Sequence, residues 1–313
     1  MDFVTIEDIN RASENIRGVA VRTPLLPTAW DLWLKPESLQ PVGAFKIRGA
    51  YHAMASLDPV ARARGVVTHS SGNHGRALAY AAAVMGVPAV IVMPKVAPPV
   101  KIAAIEALGA EIVLVEPDLR VTTTTEIAQA RQLNVIPPFD HHDIIAGQGT
   151  IGVEILADLA TVDVVLVPVG GGGLASGVAT AIKALRPETT VIGVEPELAA
   201  DAKESLDTGR LIVWPADQTY RTSADGLRTN LSELTFAHLE QFLDGMVTVT
   251  EDDILRSVGL LAREANLVVE PSGAVASAAY LFHRDRLPSG TTVAVVSGGN
   301  LEVDLFSDLV RRR

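Results

Sequence analysis

Residues 167–177 read VPVGGGGLASG. An apolar run ends in four consecutive glycines, Gly170 to Gly173, and a helix-forming stretch follows at once. Glycine has no Cβ, so successive backbone N–H groups there can converge on one anion. The start of the following helix adds partial positive charge at the same point. Two readings of the stretch stand: a phosphate site, and a tight strand–helix turn. It lacks the lysine of a P-loop and the spaced glycines of a dinucleotide fingerprint.

Outward from this turn, short β-branched runs at 65–69, 89–93, 111–115, 163–168, 191–194 and 292–296 predict strands. They are nearly continuous in apolar residues, as strands of a parallel sheet covered on both faces should be. Between them, 76–85, 100–108, 174–185 and 252–266 predict helices. That alternation predicts an α/β fold with open sheets and helices on both sides. Thr5 and Asp8, ahead of an apolar-periodic stretch, predict an N-terminal helix.

The chain has 313 residues, room for about two domains. Apolar residues make up 48%, ample for a large core, and charged residues 20%, which argues against a disordered chain. The net charge of −11 disfavours nucleic acid and anionic membranes as partners. No cysteine is present, which rules out disulfides, thiolate metal sites and a cysteine nucleophile. Two uncharged runs, 77–94 and 164–182, are interrupted by Gly86 and Pro88 or by the four glycines, so both read as soluble core rather than membrane spans. The N-terminus is acidic and amphipathic, unlike a signal peptide, and a cytoplasmic protein is expected.

Three further segments carry chemistry. LKPESLQPVGAFKIRGA at 34–50 holds Lys46, one of six lysines, between Gly43, Ala44, Phe45 and Ile47. Burial there would lower its pKa and favour the neutral amine that forms Schiff bases; the alternative is a snorkelling surface lysine. THSSGNHGRALAYAA at 68–82 leaves a strand, turns through small polar residues and opens a helix. Ser70, Ser71, Asn73 and the free N–H groups can hold a carboxylate, or simply cap the helix. VVSGGN at 295–300 puts Ser297 at a strand end, where ligands collect in open α/β sheets.

These four segments, in this order and with IAGQGT at 145–150, resemble the fold-type II pyridoxal-phosphate enzymes. The resemblance covers nearly the whole chain and is nearest to the serine/threonine ammonia-lyases and serine racemases. It implies two open, mostly parallel α/β domains of the tryptophan synthase β-like architecture. A large cofactor-binding domain would comprise 1–46 and 146–313, and a small mobile domain 47–145. It implies that Lys46 forms the Schiff base with pyridoxal phosphate while Phe45 packs on its ring. Asn73 would meet the 3-hydroxyl, Gly170, Gly171, Gly172, Gly173 and Leu174 the phosphate, and Ser297 the pyridine nitrogen. Ser70, Ser71, Asn73 and His74 would grip the substrate carboxylate, and Ser71 matches the residue that acts in serine racemases as the acid on the face opposite Lys46. Arg120 matches a substrate-side arginine if a two-residue gap is allowed; a solvated arginine is the equal alternative. Glu195, the carbonyl of Ala199 and Asp201 resemble the Mg²⁺ or Ca²⁺ site of the racemase branch, against a solvated acidic loop.

The resemblance also implies a homodimer acting on a small 3-hydroxy amino acid. The leading activity is elimination of water from L-threonine or L-serine to a 2-oxo acid and ammonia. Serine racemase and 3-hydroxyaspartate dehydratase are the alternatives within this chemistry, and a non-catalytic phosphometabolite-binding protein is the alternative outside it. Three departures stand out. The connection at 27–32, between TPLL and LKPE, is shortened, Ala44 replaces a common serine, and the chain ends soon after Ser297, so no C-terminal regulatory domain is expected.

Overall fold

The computed structural model describes residues 2–70 and 72–312. Ten strands form among them: β1 (Leu26–Pro27), β2 (Leu32–Pro36), β3 (Val66–His69), β4 (Ala89–Pro94), β5 (Glu111–Val115), β6 (Asn134–Val135), β7 (Val164–Pro168), β8 (Thr190–Pro196), β9 (Gly245–Val249) and β10 (Thr292–Val296). They make a six-stranded sheet in the order β1-β2-β10-β7-β8-β9 and a four-stranded sheet in the order β5-β4-β3-β6. All neighbours run parallel except β1 and β2. That exception is the shortened 27–32 connection, a tight antiparallel hairpin with Asp31 at φ 58°.

The strands alternate between two cores. Val164 and Leu166 of β7 and Ala294 and Val296 of β10 face one cluster, while Val165, Val167, Val293 and Val295 face the other. In the smaller sheet, Ala89, Ile91 and Met93 point one way, and Val90 and Val92 the other. Each sheet is therefore covered on both sides, which is why its strands read as continuous apolar runs. The predicted N-terminal helix is Ile6–Asn15, opened by a reciprocal Thr5–Asp8 capping box.

The two sheets are joined through the helix His142–Asp158. Its glycines sit where neighbouring helices come closest. A Cβ on Gly147 would lie 2.5 Å from the Cα of Gly49 in the helix Lys46–Ser56. A Cβ on Gly177 would lie 2.2 Å from the Ile145 carbonyl and 2.5 Å from the Gly149 nitrogen, so the helix Gly173–Leu185 meets the other side just as closely. The IAGQGT motif is thus a packing spine, holding the lysine-bearing helix and the helix after the glycine turn on one support.

Charges lock the same support. Arg48, fully buried, donates to both carboxylate oxygens of Glu37 at 2.7 and 2.8 Å and to both of Glu154 at 2.7 and 2.9 Å. Lys35 donates to Glu154 and to the Thr23 carbonyl, each at 2.6 Å. Burial alone would raise Glu37, but the adjoining Arg48 guanidinium overrides it and holds the carboxyl below its usual range. Two positive and two negative groups cancel, so the cluster survives burial only as a set. Arg48→Met, which strands the buried Glu37 carboxylate and leaves Glu154 to Lys35 alone, should destabilise the protein by about 3–5 kcal/mol; the shift of the urea unfolding midpoint measures it, and a change within error would show the cluster to be dispensable.

Candidate active site

Four backbone turns from four parts of the chain meet between the sheets. Lys46 opens its helix directly after a turn clipped to the end of β10: Phe45 donates its N–H to the Ser297 carbonyl at 3.1 Å, and Ala44 bridges Gly298. The Lys46 amine donates to the Pro138 carbonyl at 2.7 Å and lies 5.0 Å from the Phe45 ring centre. Burial lowers this amine to about 8, so more of it is neutral near physiological pH than in an ordinary lysine. Residue 139, next to that carbonyl, packs its phenyl ring over the glycine turn. A Cβ on Gly171 would lie 2.5 Å from the Phe139 ring, and one on Gly173 2.9 Å from its Cβ.

The glycine turn is an open backbone cradle. Gly172 is the N-cap of Gly173–Leu185 at φ 86°, in the left-handed region, and no side chain caps the helix. A side chain at Gly172 would strike Leu231 at 2.7 Å. The first N–H groups of this 13-residue helix are left for an anion. The cradle suits the phosphate of pyridoxal phosphate, and the desolvated amine suits its aldehyde.

The third turn follows β3. The helix starts at Asn73, ahead of the expected 76, with Gly72 as N-cap, and neither Ser70 nor Asn73 caps it through its side chain. Ser70 instead accepts from the Gly72 N–H at 3.2 Å. Asn73 donates to Glu270 at 2.6 Å and accepts from Asn300 at 2.8 Å. The His74 side chain is buried and turned away, donating from Nε2 to the Ile136 carbonyl at 2.9 Å; burial and then the Lys46 charge push it down to about 3. It stays neutral, and only its backbone N–H remains on the helix-start side. Ser71 lies outside the described residues. Ser297 is buried at the end of β10, its hydroxyl 3.4 Å from the Ser272 carbonyl.

Arg120 makes no hydrogen bond to the other site residues among those described. It donates to Pro117 at 2.9 Å and reaches Tyr220 at 3.5 Å, although its charge is felt at His69, the last residue of β3. Glu195 and Asp201 are both buried, and Asp201 Oδ2 has no hydrogen-bond partner. Glu195 accepts from the N–H groups of Ala202 and Lys203 at 3.1 and 2.8 Å. Burial raises both carboxyls, Asp201 to about 7, and the charge of Asp201 pushes Glu195 further. The bare solvated loop is therefore not what forms there. No group of three or more acidic, histidine or cysteine side chains able to hold a metal occurs among the described residues.

Sequence reading missed Glu270, Asn300, Arg76, Pro138 and Phe139. Glu270 had a signal: it is the one charged residue between 267 and 282. The others lie in turns whose partners are remote in sequence.

A family model described as pyridoxal-phosphate dependent enzyme matches residues 16–298. This chain belongs to the pyridoxal-phosphate-dependent enzymes. It is 40% identical to the L-threonine ammonia-lyase of Thermotoga maritima, over 99% of this chain and 79% of that protein. It is 34% identical to the serine racemase of Schizosaccharomyces pombe, over 97% and 96% of the two chains, and 36% identical to the L-threo-3-hydroxyaspartate ammonia-lyase of Saccharomyces cerevisiae, over 98% and 96%. Among solved structures, the T.th. threonine deaminase superposes with a TM-score of 0.90 at 43% identity, covering 95% of this chain and 99% of that one. Maize serine racemase superposes at 0.93 with 33% identity, covering 98% and 97%. The mixed α/β architecture with parallel sheets is the fold-type II architecture of these enzymes.

A lysine with an amine near 8 is neutral about 300 times more often at pH 7 than one near 10.5. Cofactor capture needs the neutral amine, so its rate falls as pH drops below about 8 and levels off above it. Uptake of pyridoxal phosphate by cofactor-stripped protein, followed against pH, should show this plateau. A rate still climbing through about 10.5 would mean an ordinary exposed lysine.

Proposed function

We propose that this enzyme eliminates water from a small 3-hydroxy amino acid, L-threonine or L-serine first, to give a 2-oxo acid and ammonia. The observation that carries the proposal is the desolvated Lys46 amine at the meeting point of the Ser297, Asn73 and glycine turns. The names of the relatives support it. Bound at Lys46, pyridoxal phosphate supplies an electron sink that acidifies the Cα–H of an amino acid joined to it. The residues do the rest. The N–H groups of Gly170 to Leu174 bind the phosphate. Asn73 meets the ring 3-oxygen, Ser297 the ring nitrogen, and Phe45 the ring face. The turn at Ser70 and Ser71, with the N–H groups of Asn73 and His74, holds the substrate carboxylate. The Lys46 amine, where free, would accept the Cα proton as a base already shifted toward neutrality.

Racemisation is the second reading, favoured by the serine at position 71 and by the racemase relatives. Hydroxyaspartate elimination would add Arg120 as partner for a second carboxylate. In all these readings residues 47–145 form the domain that moves over the substrate, and the enzyme works as a cytoplasmic homodimer. A panel of L- and D-hydroxyamino acids, assayed for oxo acid and for the opposite enantiomer, tests them together. Wild type should deaminate L-threonine or L-serine, Lys46→Ala should abolish all turnover, and Ser71→Ala should keep most L-elimination while losing any racemisation. Elimination by Lys46→Ala at the wild-type rate would end the proposal; equal loss of both reactions in Ser71→Ala would end the racemase reading.

We further propose that Glu195, Asp201 and the Ala199 carbonyl hold Mg²⁺ or Ca²⁺. The partnerless Asp201 oxygen beside a second buried carboxylate fits a hard cation, which takes oxygen donors and completes its shell with water. The ion's part is structural, neutralising two buried charges and fixing the loop after β8. Chelation should lower the melting temperature by roughly 5 °C and added Mg²⁺ or Ca²⁺ should restore it. An unchanged melting curve on stripping and re-adding metal would count against the site.

A further inference from the structure

Glu270 stands outside every role assigned so far, yet its surroundings are built around it. It precedes Pro271 and serves the helix Pro271–Phe282 through its backbone, accepting from the N–H groups of Gly273 and Ala274. Its side chain caps nothing in that helix. It is buried, forms no salt bridge among the described residues, and crosses to the first residue of another helix, Asn73, at 2.6 Å. Space has been cleared for it: a Cβ on Gly298 would lie 2.3 Å from its Oε1. A buried carboxyl without a cation is destabilising. A residue retained in spite of that calls for a purpose other than stability.

The purpose is legible in the chain of amides beyond it. Asn73 donates to Glu270 and accepts from the Asn300 amide at 2.8 Å. Asn300 in turn donates to the Val42 carbonyl at 2.8 Å and accepts from Arg76 at 2.7 Å. The Val42 and Arg76 contacts fix which end of Asn300 is which, and Asn300 then fixes Asn73. Flipping Asn73 would set two N–H groups together at Asn300. In the orientation observed, one N–H of Asn73 is taken up by Glu270 and the second remains.

We propose that Glu270 is a positioning residue, holding the Asn73 amide so that its second N–H is kept for the 3-oxygen of pyridoxal phosphate. The inference rests on the placement of Asn73 at the cofactor proposed above. It is tested by titrating pyridoxal phosphate into cofactor-stripped wild type, Glu270→Ala, Asn73→Ala and the double variant, and by recording the absorbance of each loaded protein. Glu270→Ala should weaken cofactor binding by about tenfold, roughly the net worth of one hydrogen bond. It should shift the absorbance band in the same direction as Asn73→Ala. The double variant should bind no more weakly than Asn73→Ala alone, because the two act as one unit. Glu270→Gln, whose amide oxygen accepts the same bond, should recover most of the loss. If Glu270→Ala does not fold, Glu270→Leu takes its place in the same comparison. Wild-type affinity and spectrum in the Glu270 variants, or losses that simply add to those of Asn73→Ala, would overturn the inference. Wild-type affinity and spectrum in Asn73→Ala would instead remove the placement of Asn73 on which it stands.

Discussion

The buried set Lys35, Glu37, Arg48 and Glu154 is the constraint on which the site depends. Each of its ions is costly to remove from water, and a well-packed apolar replacement would serve stability about as well. What the ions contribute is direction. The guanidinium of Arg48 is a rigid planar fork, and two bidentate carboxylates leave it no rotation. Arg48 follows Lys46 by two positions, or about 200° around the helix. Fixing the one toward the interior therefore points the other toward the cleft. The close approach at Gly49 and Gly147 prevents the helix from sliding to relieve that orientation.

The same spine links the two functional turns. On one side it carries the helix that begins with Lys46, on the other the helix that begins with the glycine cradle. Amine and anion site are thus registered through one helix rather than through the turns themselves. Turns remain free to be glycine-rich and strained because the elements behind them are not. The clip from Phe45 to Ser297 adds the third corner, tying the lysine turn to the central strand β10.

Much of this was legible in the sequence, and what was not has physical causes. The strands at 111–115 and 292–296 lie where their apolar runs put them, and the others differ by a residue or two at their ends. Gly65 falls out of β3 because its φ of 105° makes it a turn residue. β2 went unseen because LWLKP carries a lysine whose partner, Glu154, is 119 residues away. The helix His142–Asp158 went unseen because three glycines argue against a helix by propensity, while close packing demands them. The glycine cradle and Lys46 were legible because backbone freedom and an apolar setting are local properties. Glu270 stood out as a lone charge, but its role and that of Asn300 were not legible, because each acquires it only from a partner about 200 residues distant.

Exclusion of water gives the site one electrical character. Lys46 and His74 are pushed down and Glu270 is pushed up, each by burial first, so all three are biased toward their uncharged forms. A charged amine and an imidazolium would repel each other, as the Lys46 charge already does in lowering His74. Under the proposed function, the anionic cofactor would be balanced mainly by backbone N–H groups and a helix terminus, which do not titrate. The proton taken from an amino acid would then meet an amine poised near neutrality, while the groups that would hold the cofactor keep their charge state. Under the proposed function, separating fixed dipoles for binding from a titratable amine for proton transfer would let one half-buried lysine serve both as anchor and as base.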